Sequence, residues 1–444
     1  MRTATIVKTI SVILSISLLP VFAPAAKADK SDPPAQWSQW RGPNRDGKSP
    51  DTGLLKSWPK GGPKLLWKVP LIGQGFSSVS IGGGLIYTTG RRAAGYPTSL
   101  PAAKNVYKLP GDRYYATAIA PDGKVKWRRD LTKCYRGYYP GTRSTPTYDC
   151  GNLYLETGAG VVICCDAQTG KTIWIRDIHK DFNGITPPGH TFGRSESVLI
   201  VGDQAIVTPG GEDAFMVALD KKTGKTVWKS PKVSAAAHTS PIHVVYKGVP
   251  LLINGANMGL VCIHAKTGRI QWTRPFAQGA RGRVPTPGFV EKGGYVYWAV
   301  GYGKGGICMK LSVSGQKVTA KELWRTEDMD CMVGGFVIHD GYIYGNNRGG
   351  YACIELKTGK TIWKTDGEKA GGRGSLCWAD GMLYLYSEKE GKASLATCSP
   401  KGLEIKGTVT TPGMDQSWAH PVVFGGKLYL RYNDNLFCFD VKAK

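Results

Sequence analysis

The chain of 444 residues carries 59 glycines, 21 tyrosines, 13 tryptophans and 41% hydrophobic residues, a composition that excludes disorder and leaves room for a large folded core. Its formal net charge of +25 is scattered, with no run of five or more basic residues, which argues against a nucleic-acid-binding arm. A positive field of this size favours anionic partners such as lipopolysaccharide, acidic glycans or anionic small molecules.

Residues 1–28 combine Arg2 and Lys8, an apolar run and Ala26-Lys27-Ala28, the tripartite form of a secretory signal. The mature chain is therefore expected to begin near Asp29, to have no transmembrane segment, and to be exported to the periplasm or beyond. Loss of Arg2, Lys8 and Lys27 takes the charge from +25 to +22. Residues 29–63, with WSQWRGPNRDG, read as an N-terminal arm lying on the domain that follows, anchored by Trp37 and Trp40.

The stretch KLLWKVP (64–70) looks like a strand without a sheet of its own. After it come segments of alternating apolar residues bounded by glycine, among them GGLIYTTG (83–90), GNLYLETG (151–158), GGYVYWAVG (293–301) and DGMLYLYS (380–387). Period-two alternation between glycine turns predicts strands. A repeated motif accompanies them along the chain: GVVICCDAQTGKTIW (160–174), VALDKKTGKTVW (217–228), VCIHAKTGRIQW (261–272) and ACIELKTGKTIW (352–363), with a degenerate copy at 118–127. The closing tryptophans, Trp67, Trp127, Trp174, Trp228, Trp272, Trp324 and Trp363, recur every 39 to 60 residues. That is the size of one four-stranded propeller blade.

Six blades end at Trp127 through Trp363, and residues 375 to about 405 form a seventh. The last unit, HPVVFGGKLYLRYNDNLFCFD, lacks a fourth strand, which KLLWKVP can supply. The expected fold is all-β: residues 64–444 as one eight-bladed β-propeller of four-stranded antiparallel blades, its ring closed by an N-terminal strand. In the repeat, Asp and Gly belong to the turn and Trp fills the wedge between sheets, so these residues read as structural.

Adjacent strand residues face opposite sides of a sheet, so Cys164 and Cys165 should diverge rather than form a redox pair. Cys164, Ala218, Cys262 and Cys353, with Cys308 and Cys438 after small shifts, share one repeat position that accepts only Ala or Cys. Among the other cysteines, only Cys134 and Cys150 suggest a bond. Insertions at 91–112 and 176–193 should lie at the channel mouth. His179 and His190 fall on the second, but no metal-ligand spacing supports a metal site.

The segments leading into the innermost strands converge at the channel mouth, and in one register they present Phe76, Arg143, Arg194, His238, Arg283, Met332, Arg373 and Trp418. Four arginines around one funnel repel unless carboxylates or a ligand neutralise them. Phe76, Arg143, Arg194, His238, Arg283, Arg373 and Trp418 are therefore the candidate ligand-binding residues, with an anion gripped by guanidinium forks. The alternative pairs each arginine with Glu196, Asp330, Asp415 or a backbone carbonyl.

The repeat pattern, over about 380 residues, resembles the pyrroloquinoline quinone (PQQ) repeat propellers, which include quinoprotein alcohol dehydrogenases and BamB-type outer-membrane assembly scaffolds. WSQWRGPNRDG, HTFGRSESVLIVGDQAIVTPGGEDAFMVALDKKTGKTVW and AAAHTSP are similar to an exported group of PQQ-like repeat proteins often labelled polyvinyl-alcohol-dehydrogenase-related. The resemblance implies fold more strongly than function. The favoured reading is a non-catalytic, monomeric binding or assembly scaffold, without cofactor, that meets envelope proteins or an anionic small molecule or glycan. The competing reading is an oxidoreductase using PQQ with calcium, in which the arginines hold quinone carboxylates, Trp418 or Phe76 stacks, and Glu196 or Asp415 acts as base. A glycan-binding surface protein is the third.

Overall fold

The computed structural model describes Met1 and residues 36–92, 113–135, 139, 141–187, 192–279, 284–366, 372–413 and 416–443. The expected signal segment beyond Met1, residues 93–112 of the insertion at 91–112, and residues 188–191 of the insertion at 176–193, His190 among them, lie outside them. Within the compact unit Asp32–Lys444, eight sheets, each built on four antiparallel strands, follow one another as the blades of a β-propeller. Blade 1 runs from Ser80–Gly82 to Val125–Lys133, blade 2 from Thr147–Asp149 to Thr172–Asp177, and blade 3 from Leu199–Val201 to Thr226–Lys229. Blades 4, 5 and 6 begin at Ile242–Tyr246, Gly288–Val290 and Phe336–His339, and blade 7 runs from Gly374–Ala379 to Ile405–Thr410. Blade 8 takes its inner three strands from the C-terminus, ending at Asn435–Asp440, and its outer strand from β2, Lys64–Val69. Ring closure by KLLWKVP is thus observed.

The small repeat position has a specific cause. Cys164 lies directly between Tyr154 of the second strand and Trp174 of the fourth. The same row of Tyr, small residue and Trp recurs as Tyr87–Ala118–Trp127 in blade 1 and Tyr344–Cys353–Trp363 in blade 6. It recurs again as Tyr297–Cys308–Trp324 and Tyr429–Cys438–Trp67, so Cys308 and Cys438 need no shift to join the series. The two rings stand 5.6 to 6.3 Å apart in these five blades, tilted towards each other. Cross-strand neighbours are only about 5 Å from the middle residue, so a longer side chain there would drive the rings apart.

The indole then reaches the next blade. Trp127 Nε1 donates to Ala167 O at 3.1 Å, Trp174 Nε1 to Lys221 O at 2.9 Å, and Trp67 Nε1 to Pro121 O at 2.9 Å across the closure. Each acceptor sits in the turn that carries the motif glycine. A Cβ on Gly170 or Gly224 would lie 2.9 Å from the indole of Trp127 or Trp174, and both glycines have positive φ. Asp166 Oδ1 accepts from Thr169 N at 2.7 Å to hold this turn, the local role expected of the motif Asp.

Cys164 and Cys165 diverge as strand geometry requires. Cys164 packs with Tyr154 and Trp174 between blades 2 and 3, and Cys165 with Tyr87 and Trp127 between blades 1 and 2. Burial pushes both thiols up to about 12. No disulfide joins Cys134 to Cys150, the pair suggested by sequence.

The arm does more than lie on the ring. Trp37 O accepts from Ile81 N in blade 1, and Ser38 O from Tyr148 N in blade 2. Arg45 donates to Ser197 O and Val198 O in blade 3 and to Pro241 O in blade 4. Trp40 Nε1 donates to Thr286 Oγ1 before blade 5, and Arg41 to Phe336 O in blade 6. The short strand β1, Lys48–Ser49, pairs parallel with Gly374–Ala379 of blade 7, and Asp51 Oδ2 accepts from Gly426 N in blade 8. A segment that bonds to all eight blades, mostly at their innermost strands, crosses the propeller axis.

Blade 7 has no tryptophan in its fourth strand, Ile405–Thr410. Its row reads Tyr384–Leu395–Gly407, and Trp58 of the arm stands on Gly407, 6.0 Å from the Tyr384 ring. The arm therefore supplies the missing wedge. Trp58→Ala is expected to lower unfolding free energy by about 3 kcal/mol or more, as much as Trp127→Ala, measured by urea denaturation. A loss below about 1 kcal/mol would mean that the arm contributes no wedge.

Candidate functional site

The segments that lead into the innermost strands enclose a cavity of about 420 Å³ on the axis. Phe76, Arg143, His238, Met332, Arg373 and Trp418 line it together, as their shared register predicts. Trp40 brings the axial arm into the same wall, so the cavity is closed partly by the segment that crosses the ring. Arg283 and Asp415 lie outside the described residues.

Arg194 does not reach the cavity. Strand alternation turns its neighbour Ser195 towards the axis, where it meets His238 Nδ1 at 3.3 Å, and sends Arg194 into the wall, 2% exposed. There it pairs with Glu156 and donates to the carbonyls of Ile185, Thr208 and Pro209.

The two arginines that stay at the mouth are held differently. The Arg143 guanidinium sits 5.3 Å from the Phe76 ring and 5.9 Å from the Phe192 ring, donating to Tyr139 O and Gly141 O at 2.8 and 3.1 Å. Arg373 Nε donates to Glu388 Oε1 at 2.7 Å, and Trp418 Nε1 donates to Glu388 Oε2 at 3.2 Å. Neutralisation by carboxylate and carbonyl thus takes place for the described arginines, through Glu388 for Arg373, Glu156 for Arg194 and carbonyls for Arg143, while Asp330 pairs with Arg348. Sequence reasoning missed Glu388 because it comes from the end of a second strand, SEKEGK, outside the register that was compared. Tyr139, Phe192 and Tyr302 were missed for a similar reason. They stand on connections whose reach to the axis depends on loop path.

The mouth is rich in rings. Trp418 stands 4.7 Å from Phe76 and 4.9 Å from Tyr139, and Trp40 meets His420 at 4.6 Å. Burial beside Arg41 lowers His420 to about 3, so it is neutral, in the form whose Nε2–H donates to Val333 O. Cavities of this size with apolar walls and few convergent polar groups are the common form of ligand sites.

A quinone with calcium does not fit this lining. Calcium takes six to eight oxygen ligands, and Glu388 is the one carboxylate among the described lining residues, already committed to Arg373 and Trp418. Among the described residues no three His, Cys, Asp or Glu side chains cluster in a metal-binding arrangement.

Two carboxylates with raised pKa lie behind the wall. Glu156 and Glu196 are each 1% exposed and share the guanidinium of Arg194, with Arg45 also acting on Glu196. Burial, then the charge of Glu156, pushes Glu196 up to about 8. Neither opens to the cavity, so Glu196 is not placed to act as the base that the oxidoreductase reading assigns to it.

Comparison with known proteins agrees with the fold. The family described as outer membrane protein assembly factor BamB matches residues 113–365, more than half of the chain. BamB of Yersinia pestis is 27% identical over 280 residues, covering 60% of this chain and 65% of that protein. Quinoprotein alcohol dehydrogenase PedH of Pseudomonas putida is 28% identical over 211 residues, covering 44% of this chain and 31% of that enzyme. Each match spans less than two thirds of the relative. The crystal structure of BamB from Moraxella catarrhalis superposes with a TM-score of 0.58 at 13% identity, covering 86% of this chain and 98% of that one.

The raised Glu196 sets a direction of pH dependence. Between its ordinary value of 4.5 and about 8 the folded state keeps a proton that the unfolded state releases, so stability falls as pH rises through this window. Glu196→Gln removes the titrating group and keeps its shape. The variant's melting temperature is expected to drop less between pH 5 and pH 8.5 than that of the native chain, by about 2 °C or more. Parallel melting curves would show that Glu196 is ionised in the fold.

Proposed function

Because the chain belongs to the family described as outer membrane protein assembly factor BamB, we propose that it is a non-catalytic binding or assembly scaffold of the cell envelope. Its docking surface is the basic, aromatic mouth of the channel. The observation that carries this reading is the state of the ionisable groups. At the mouth Arg143 and Arg373 are already held by carbonyls and by Glu388, and the carboxylates with raised pKa are sealed in the wall. Such a surface is ordered for recognition, and none of its described carboxylates is poised to take a proton from a substrate.

The relation to PedH keeps PQQ-dependent oxidation as the competing reading. Its calcium requirement is what the described lining fails to meet. Export, like the identity of the envelope partner, is part of the proposal.

A photo-crosslinking residue in place of exposed Lys389, at the cavity mouth, is expected to trap envelope proteins in the native cells, whereas the same residue at exposed Val245, near the far end of the first strand of blade 4, is not. Titration of the purified chain with PQQ and calcium is expected to give no stoichiometric uptake. Tight quinone binding that is lost on Arg143→Ala and Arg373→Ala would overturn the scaffold reading in favour of a quinoprotein.

A further inference from the structure

A second cavity, of about 860 Å³, opens beside the first over the seam of blades 6 and 7. The two share Tyr302, Met332, Arg373, Glu388 and Lys389. We propose that together they form one groove that binds an acidic oligosaccharide, a site separate in kind from the protein docking argued above.

The rings come first. Tyr302 and Tyr139 are 53% and 46% exposed, both line the axial cavity, and both have left-handed backbones, with φ of 61° and 49°. A bulky residue in that region costs on the order of 1 kcal/mol relative to glycine, and Gly301 and Gly303 on either side of Tyr302 show that the local sequence has glycine at hand. A strained, exposed tyrosine contributes little to the core. What it offers is a flat apolar face at the rim of a polar groove, which suits the C–H face of a pyranose ring.

The charges set the class of sugar. Across both cavities five lysines and arginines outnumber the three carboxylates Asp330, Glu388 and Glu390, so a ligand carrying carboxylates of its own is favoured. Several of these groups are already ordered: Arg373 by Glu388, and Asp330 by the Gly303 N–H at 2.9 Å. Charged side chains fixed in this way bond sugar hydroxyls with little further loss of rotamer freedom.

Two other occupants suit the groove less well. An extended peptide asks for an open strand edge, whereas the described lining offers side chains and ring faces at the inner ends of sheets that are already paired. A planar aromatic ligand asks for two parallel rings with a slot between them. Here Phe76 and Trp418 tilt by 43° and touch, Tyr139 meets Trp418 at 61°, and Arg143 covers Phe76 and Phe192.

The test is calorimetric titration of the full chain with tetragalacturonate, neutral cellotetraose and hexaglutamate, with indole fluorescence of the mouth tryptophans as a second readout. Tetragalacturonate is expected to bind saturably, at least about tenfold tighter than cellotetraose, and to weaken with added salt. Tyr302→Gly removes the ring while relaxing the backbone, so it should weaken binding about tenfold without lowering the melting temperature. Tyr302→Phe should bind as the native chain does. The proposal is overturned if tetragalacturonate does not bind, if Tyr302→Gly binds equally well, or if hexaglutamate binds as tightly, the last making the groove a peptide site.

Discussion

The propeller depends on one contact: the indole that closes a blade lies over the turn glycine of the next. Everything upstream of that contact is arranged to permit it. A cysteine or alanine stands between Tyr and Trp so that both rings lean over it, and a bulge near the start of the fourth strand, just before the Trp, accompanies each row. Burying a tryptophan is worth about 3–5 kcal/mol, more than any hydrogen bond in the same turn contributes. Where the contact is missing the structure shows it. Blade 5 replaces the glycine turn by a long hairpin, Gly305–Ser314 with Lys317–Thr326, and the Trp272 Nε1 that would have reached that turn is buried without a partner. Blade 7 lacks its tryptophan and borrows Trp58.

That logic explains which parts of the fold were legible in the sequence. Strand alternation, the Trp spacing and the missing fourth strand of the last unit are local or periodic signals, and each survived into the structure. The small slot was legible as a position but not as a row, because its partners lie about ten residues away on two other strands. Of the candidate site, Phe76, Arg143, His238, Arg373 and Trp418 are brought around one cavity because the repeat fixes where each innermost strand begins. Arg194 was not. A register of one residue decides which side of a strand faces the axis, and HTFGRSES leaves Arg194 and Ser195 equally near the mouth until the pairing of blade 3 is known. Glu388 and Tyr302 reach the cavity from other connections, which no alignment of the inner strands brings together.

The arginines show why a concentration of charge in sequence overstated the anion site. Arg431, 2% exposed, ties blade 8 to blade 1 by donating to Gly73 O, Ser77 O and Thr89 O. Arg45 links blades 3 and 4 in the same way, and Arg194 joins blade 2 to blade 3. A guanidinium has five donors in a fixed plane, so one side chain satisfies several carbonyls that the inner strands leave unpaired where the sheets converge. Most of the buried arginines are thus internal cross-braces. Of the described candidate arginines, those that remain part-exposed at the mouth, Arg143 and Arg373, are available to a ligand.

The arm couples these two uses of the sequence. One segment supplies the wedge of blade 7 through Trp58, the brace between blades 3 and 4 through Arg45, and a wall of the cavity through Trp40. Because Arg41 and Arg45 are buried and bonded to carbonyls, withdrawing the arm would take their donors with it and leave the carbonyls of Ser197, Val198, Pro241 and Phe336 unpaired inside the ring. The arm is therefore a fixed part of the scaffold and not a removable lid. It follows that the axial cavity is open to ligand from the mouth side, through the rim on which Tyr139 and Tyr302 stand.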